Sequence, residues 1–352
     1  MNVKDAVGIY SPKVKAVLES FLNEKTKLYD DQSFGITIEI IEFIKTYILA
    51  EVRQSRPTLF LIGYIASNND VTENTIATSI FTTFFTKYLA IHDDIIDKDT
   101  IKNGVPTIHI QGKKFNGSEK MGNDLAILAG DFLWSWAIDS VLNSDVPLER
   151  RWNALEAINK TNELTNVGQI MDLDFVMKKF EDINDKDVWL MYTNKAAIYC
   201  YVMPLTVGAI LGGLPTKIVV KLEEYAKLVG AASQLRDDVE GVFSEEKITG
   251  KSNIVDLQMG VKSLLIVKSF ELATNDQKDL LRKYVGKDDL TQEEADKVRQ
   301  IIVSVGAKDY CEKVIIQKGD ESLTILREIK DNINSESYEY LEDLVKFRLR
   351  LN

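Results

Sequence analysis

Two histidines, His92 and His109, and two cysteines, Cys200 and Cys311, are all that 352 residues hold of imidazole and thiol chemistry. The cysteines lie far apart with no C-x-x-C spacing, which indicates neither a disulfide framework nor a thiolate metal site. No serine stands in a G-x-S-x-G elbow, and two histidines leave Ser-His or Cys-His catalysis few candidates. Six prolines and 19 glycines are too few to punctuate a protein of short strands and turns. No repeat, low-complexity tract or Pro/Gly/Ser-rich linker divides the chain. Lysine and arginine number 43 against 54 aspartates and glutamates, a net charge of −11 with no long basic block, so nucleic acid and anionic membranes are poor partners. No run reaches 18 uninterrupted apolar residues, and the first ten residues carry charge where a secretory leader needs an apolar stretch. The expectation is a cytoplasmic protein without a transmembrane segment.

What is present is helix-forming. Hydrophobic residues make up 45% of the chain, enough for a large core, and leucine, isoleucine, lysine and glutamate dominate the long uninterrupted segments. An all-α fold in one domain, residues 1–352, is expected. Ile76, Ile80, Phe84, Tyr88, Ile91 and Ile95 recur at steps of three and four, the apolar face of a buried helix. That face ends in A-I-H-D-D-I-I-D, with Asp93, Asp94 and Asp97. A second acidic cluster, Q-L-R-D-D-V-E-G, ends another helical segment, roughly residues 217–239. Between them L-A-I-L-A-G-D-F-L-W-S-W-A, G-Q-I-M-D-L and Y-T-N-K-A-A read as core helices with inward polar groups sharing a polar cavity.

On a helix Asp93 and Asp97 stack one turn apart, while Asp94 points about 100° away. Two carboxylates so placed suit a hard divalent cation, and oxygen-only ligation suits Mg²⁺ completed by water and phosphate oxygens. With 54 acidic residues in 352, one such motif is expected about once by chance. Two of them, each ending an apolar helix about 140 residues apart, are a different matter.

H-D-D-I-I-D followed by N-G-V-P-T-I-H, then A-G-D-F-L-W-S-W-A, G-Q-I-M-D-L, N-K-A-A, Q-L-R-D-D and T-G-K-S-N-I-V-D-L-Q-M-G-V-K-S-L resembles the ordered motifs of the trans-isoprenyl diphosphate synthases, from about Val52 to Leu264. The resemblance implies ten or more helices around a central cavity, usually a homodimer, and two Asp-rich motifs facing each other across three Mg²⁺ ions. It implies an allylic prenyl diphosphate and isopentenyl diphosphate as partners. Ionisation of the first leaves an allylic cation in a dry cavity, and the second attacks it. The departing pyrophosphate takes the proton, so no side-chain base is needed.

Carried over residue by residue, the resemblance makes Asp93, Asp97 and Asp237 the principal metal ligands, supported by Asp94 and Asp238. Gln234 orients water or ligand. Lys195 and Lys251 meet the allylic diphosphate, and Lys102, in place of the first arginine of the usual R-R-G, binds substrate with the charge kept but without the bidentate fork. Gln169 and Asp172 line the cavity, and Arg53 and Arg56 grip isopentenyl diphosphate. The chain departs from the pattern at Thr86, where a His or Gln is usual, and at Asn103, where the second arginine stands. It departs again at Gly241, the place of a third aspartate except in a subset reading R-D-D-x-x-G-V-F, and at Val261, the place of a lysine, with Lys262 one residue on. Tyr88, five residues before Asp93 and backed by Phe84 and Phe85, implies a short product, C15 or C20. Two readings stay open beside a prenyl transferase: a class I terpene synthase that needs no isopentenyl diphosphate, and a weakly active regulatory subunit of a prenyl synthase.

Overall fold

Helix starts are written into the sequence as hydroxyl and amide side chains that accept the first orphan backbone amides. In the computed structural model, which describes residues 1–31, 35–244 and 253–351, Thr72, Asn184, Thr274 and Thr291 each close a reciprocal capping box. Ser118 and Ser263 cap with a single bond. A cap of this kind contributes about 1 kcal/mol. The helices are α1 (Val3–Asp31), α2 (Ile36–Leu49), α3 (Ser55–Ile65), α4 (Glu73–Ser79), α5 (Phe81–Ile96), α6 (Ile108–Gly112), α7 (Glu119–Leu142), α8 (Leu148–Met177), α9 (Asp185–Tyr192), α10 (Met203–Gly212) and α11 (Thr216–Phe243). Further helices follow, among them Leu264–Leu272, Ala307–Glu328 and Ser335–Leu349. A π-helical segment, Thr193–Val202, joins α9 to α10. The only sheet among the described residues pairs β1 (Ile101–Lys102) with β2 (Val105–Pro106), Lys102 opposite Val105. The fold is all-α.

Contacts gather the chain into two compact units. The first comprises Met1–Ile158, Pro204–Val219 and Ile333–Tyr340. Its core is α5 against α7, where Phe81, Phe84, Phe85 and Ile91 are buried with Ala126, Ala129, Leu133 and Trp136. The second comprises Asn159–Met203, Val220–Asn332 and Leu341–Asn352. There Leu222, Tyr225, Ala226, Val229 and Leu235 of α11 are buried, as are Leu264 to Val267 and Phe270.

Three sequence expectations are corrected. The helix expected to run unbroken from Ile76 is two, because α4 stops at Ser79 and α5 starts at Phe81. Thr78, Ser79 and Thr82 each turn a hydroxyl back onto a carbonyl three or four residues earlier, at 2.7–2.9 Å, which loosens the ladder and bends it. Helix α11 does not stop near residue 239 but continues one turn to Phe243, so its aspartates lie inside it. The G-Q-I-M-D-L stretch of α8 is not a core stretch, since Ile170 is 65% exposed and Leu173 also faces solvent. Among the described residues two helices, Glu119–Leu142 and Asp185–Gly212, are long and apolar enough to cross a membrane, and the second is mostly buried in the protein, as core helices that pass this test are.

Candidate active site

Helix α5 delivers the first acidic set at its last turn. Asp93 is half-buried, and Asp97 is exposed at the C-cap, its amide donating to the Asp93 carbonyl at 2.8 Å. Asp94 faces the other way and is 1% exposed. The Tyr47 hydroxyl of α2 donates to its Oδ2 at 2.6 Å, and Lys102 Nζ donates to its Oδ1 at 2.9 Å. Burial, then the Asp94 charge, push Tyr47 far above the usual tyrosine range, so its proton stays in place as donor. Burial pulls Lys102 down, but its bonds to Asp94 and Asp99 outweigh that and leave it raised.

Lys102 is held by the β1–β2 hairpin. Its turn is Asn103-Gly104 with φ of 50° and 80°, the N-G pair that such tight turns favour. Asn103 thus stands at a left-handed position, which asparagine adopts more readily than most residues. Beneath Asp93, Tyr88 packs its ring 6.1 Å from Phe85, 5.6 Å from Trp134 and 5.0 Å from His92. Phe84 turns instead to Phe21 and Trp136. The bulk beside Tyr88 is Phe85 and Trp134, and Trp134 is a residue that the sequence reading missed.

Of the residues expected to grip the second substrate, Arg53 is exposed and Arg56 half-buried. Arg56 Nη1 lies 3.8 Å from Glu51, which also accepts from the buried Lys87 at 2.6 Å. Thr86 donates to the Thr82 carbonyl of its own helix at 2.7 Å. Sequence pattern singled out Thr86 and overlooked Lys87 beside it, because lysines are seldom buried.

The second acidic set repeats the arrangement of the first. Asp237 is exposed and paired at 3.2 Å with Arg348 of the Ser335–Leu349 helix, a partner no local motif announces. Asp238 is 9% exposed. Its Oδ2 accepts from the Tyr192 hydroxyl, and its Oδ1 from Gln234 Nε2 at 2.8 Å. The Tyr192 oxygen is itself fixed by the Leu264 amide at 2.9 Å. Burial, then the Asp238 charge, hold Tyr192 well above its usual range. A Cβ at Gly241 would stand 2.3 Å from Asp256 Oδ2, so the carboxylate beside that turn comes from Asp256 and would have to swing aside for any larger residue. Lys262 donates to the Phe175, Val176 and Lys178 carbonyls at the end of α8. It caps that helix rather than replacing the lysine absent at Val261.

Burial pushes the Asp238 carboxyl up to about 7, against the opposing bonds from Tyr192 and Gln234. A carboxyl raised in the folded state adds stability below the unfolded value near 4, and that stability is lost as pH rises through about 7. Without metal, the protein is expected to lose stability, on the order of a few kcal/mol at most, between about pH 4 and 7 from this group. Asp238→Asn should flatten that part of the profile in thermal melts.

Lys195 stands in the π-helix where it crosses α8. A Cβ on Gly168 would lie 2.3 Å from the Lys195 backbone nitrogen, so the two backbones touch there. Lys195 Nζ donates to Asp172, four residues along α8. Gln169 shares that stretch, and its Nε2 is buried with no hydrogen-bond partner among the described residues. An orphaned donor beside a lysine fits an anion's oxygen. Lys251 lies outside the described residues.

Among the described residues no three of His, Cys, Asp or Glu are gathered to hold a metal ion by themselves. The donors Asp93, Asp97 and Asp237 are carboxylates open in part to solvent, and Mg²⁺ characteristically takes one or two carboxylates and completes its shell with water and substrate phosphate. The residues fit that ion. A sequence model of the family described as polyprenyl synthetase matches residues 38–302. The geranylgeranyl diphosphate synthase of Methanosarcina mazei is 27% identical over 279 residues, 78% of this chain and 80% of that one. The geranylfarnesyl diphosphate synthase of Aeropyrum pernix is 31% identical over 63% of this chain and 66% of its own. The crystal structure of a geranylgeranyl pyrophosphate synthase from Corynebacterium glutamicum, complexed with isoprenyl diphosphate and magnesium, superposes with a TM-score of 0.87 at 24% identity over 98% of this chain and 99% of that one. With three-quarters of its length matched and the ordered motifs in place, the chain belongs to the polyprenyl synthetase family and is a trans-prenyltransferase of the all-α isoprenoid synthase fold.

Proposed function

We propose that this trans-prenyltransferase condenses an allylic diphosphate with isopentenyl diphosphate to a C15 or C20 prenyl diphosphate and releases pyrophosphate. The observation that carries the reading is the pair of acidic sets, in each of which an aspartate at least partly open to solvent, Asp93 or Asp237, precedes one fixed inside, Asp94 or Asp238. Asp93 and Asp97 of the first unit and Asp237 of the second would hold magnesium, which this reading counts as three ions. When bound, magnesium supplies the positive charge that accepts the departing pyrophosphate. Lys195, set by Asp172 and by the α8 contact at Gly168, adds a fixed cation on the same anion, and Gln169 adds a neutral donor. Lys251 is a further cation for it. The allylic C–O bond breaks, the double bond of isopentenyl diphosphate attacks the cation, and the proton lost from the new intermediate goes to pyrophosphate.

Arg53 and Arg56 hold isopentenyl diphosphate, with Lys87 close to Arg56 through their shared Glu51. Lys102 steadies the first acidic set through Asp94 and meets the allylic diphosphate. Incubation with magnesium and geranyl or farnesyl diphosphate, with and without isopentenyl diphosphate, tests the reading. Elongation only when both substrates are present is the expected result. Hydrocarbon or alcohol formed from the allylic substrate alone would favour the terpene synthase reading, toward which the inward turn of the Thr86 hydroxyl points. No turnover would leave a regulatory subunit.

Tyr88 stands against Phe85 and Trp134 and limits the growing tail. Tyr88→Ala is expected to lengthen the principal product by at least one five-carbon unit, read by chromatography of the dephosphorylated alcohols. The protein acts as a homodimer in the cytoplasm. The exposed Leu128, Leu148 and Trp152 are apolar surface that a second copy would cover, and sedimentation should give twice 39.8 kDa.

A further inference from the structure

We propose that Tyr47 and Tyr192 are positioning residues that keep the second aspartate of each acidic pair out of the metal shell and so aim the first aspartate at it. The proposal rests on the prenyltransferase reading above and concerns which carboxylates do the ligating.

In each pair both oxygens of the second aspartate are already spoken for by the protein. Asp94 receives the Tyr47 hydroxyl on Oδ2 and Lys102 on Oδ1. Asp238 receives the Tyr192 hydroxyl on Oδ2 and Gln234 on Oδ1. Neither carboxylate is more than 9% exposed. Successive residues on a helix point about 100° apart, so pinning the second aspartate inward fixes the rotation of that turn and with it the direction of the first. The donors beside the tyrosines differ, an ammonium in one set and an amide in the other. A buried tyrosine hydroxyl is the part they share, although it arrives from α2 in one unit and from the last residue of α9 in the other. Tyr192 is further constrained by the Leu264 amide, so its oxygen accepts one bond and donates the other. Tyrosine without its hydroxyl would leave a buried carboxylate oxygen unsatisfied, and that oxygen would turn toward whatever cation came within reach. The ordering of the pair, one ligand outside and one strut inside, would then be lost.

Tyr47→Phe and Tyr192→Phe test this by calorimetric titration with magnesium and inorganic pyrophosphate, alongside thermal melts without either. Each variant is expected to bind magnesium pyrophosphate about tenfold more weakly, the size typical of losing a group that orients a metal ligand. The half-saturating magnesium concentration should rise by a similar factor while kcat at saturating metal falls much less. Wild-type affinity in both variants would overturn the proposal, whether or not their melting temperatures drop. Asp238→Asn, which keeps the side chain's shape and one of its two acceptor oxygens, should weaken binding no more than Tyr192→Phe does, whereas Asp237→Asn should erase the binding heat. If Asp238→Asn were as damaging as Asp237→Asn, Asp238 would be a ligand and the proposal would fail. Failure of the prenyltransferase reading looks different: the unaltered protein would bind magnesium pyrophosphate yet form no elongated product.

Discussion

Asp93→Ala is expected to lower turnover on the order of a thousandfold while the protein melts where the unaltered chain does. Its side chain stands half-buried on the last turn of α5, outside the packed core of Phe81, Phe84, Phe85 and Ile91. What holds that turn is Asp94, through Tyr47 and Lys102, and those bonds survive the substitution. The loss therefore falls on charge neutralisation during ionisation, which no neighbouring group replaces, since Asp94 has no oxygen to spare. Asp237→Ala should act in the same direction, although it also takes one partner from Arg348, which keeps its bonds to Ser233. Steady-state kcat with both substrates, measured beside melting curves, checks it. Normal turnover by either variant would remove these aspartates from the ligand set.

Much of the fold was legible because its signals are local. The caps at Thr72, Asn184 and Thr291 went unread, although hydroxyl and amide side chains before an apolar run are a local signal of a helix start. The apolar steps from Ile80 to Ile91 named a buried face, and Ile80, Phe84 and Ile91 are each 3% exposed or less. The break before Phe81 was not seen, because periodicity counts apolar positions and ignores hydroxyls. Thr78, Ser79 and Thr82 bend the chain through side-chain bonds that leave the apolar pattern unchanged.

The candidate site was legible only in part, and the division is physical. Asp93, Asp97 and Asp237 were found because helical spacing and motif order are properties of a short stretch. Tyr47, Trp134, Lys87, Tyr192 and Arg348 were missed because each meets its partner through the fold, Tyr47 lying 47 residues from Asp94 and Arg348 lying 111 from Asp237. The sequence treats Asp94 and Asp238 as companions of their neighbours; burial shows that they face the opposite way. The departures explain themselves in the same terms. Asn103 sits in a left-handed turn that asparagine tolerates well, and a side chain at Gly241 would have to displace the Asp256 carboxylate.

Gly168→Ala is expected to cost both stability and turnover, although glycine and alanine differ by one methyl group and alanine is the better helix former. On an exposed helix the exchange would add up to about 1 kcal/mol of stability. Here the new Cβ would stand 2.3 Å from the Lys195 nitrogen, 2.6 Å from the Asn194 carbonyl carbon and 2.7 Å from the Lys195 Cα. All three are backbone atoms, so no side-chain rotation relieves the overlap, and α8 and the π-helix must separate. Overpacking of this kind costs about 1–3 kcal/mol, which reverses the sign of the propensity gain. Moving the Lys195 backbone also displaces its ammonium from Asp172 and the Gln169 donor, and a shift of about 1 Å at a positioned cation lowers rate roughly a hundredfold. Thermal melts and kcat measured together check both halves. Serine should behave as alanine does, because the conflict lies at Cβ, and a variant melting above the unaltered protein with full turnover would show that the two helices do not meet as described.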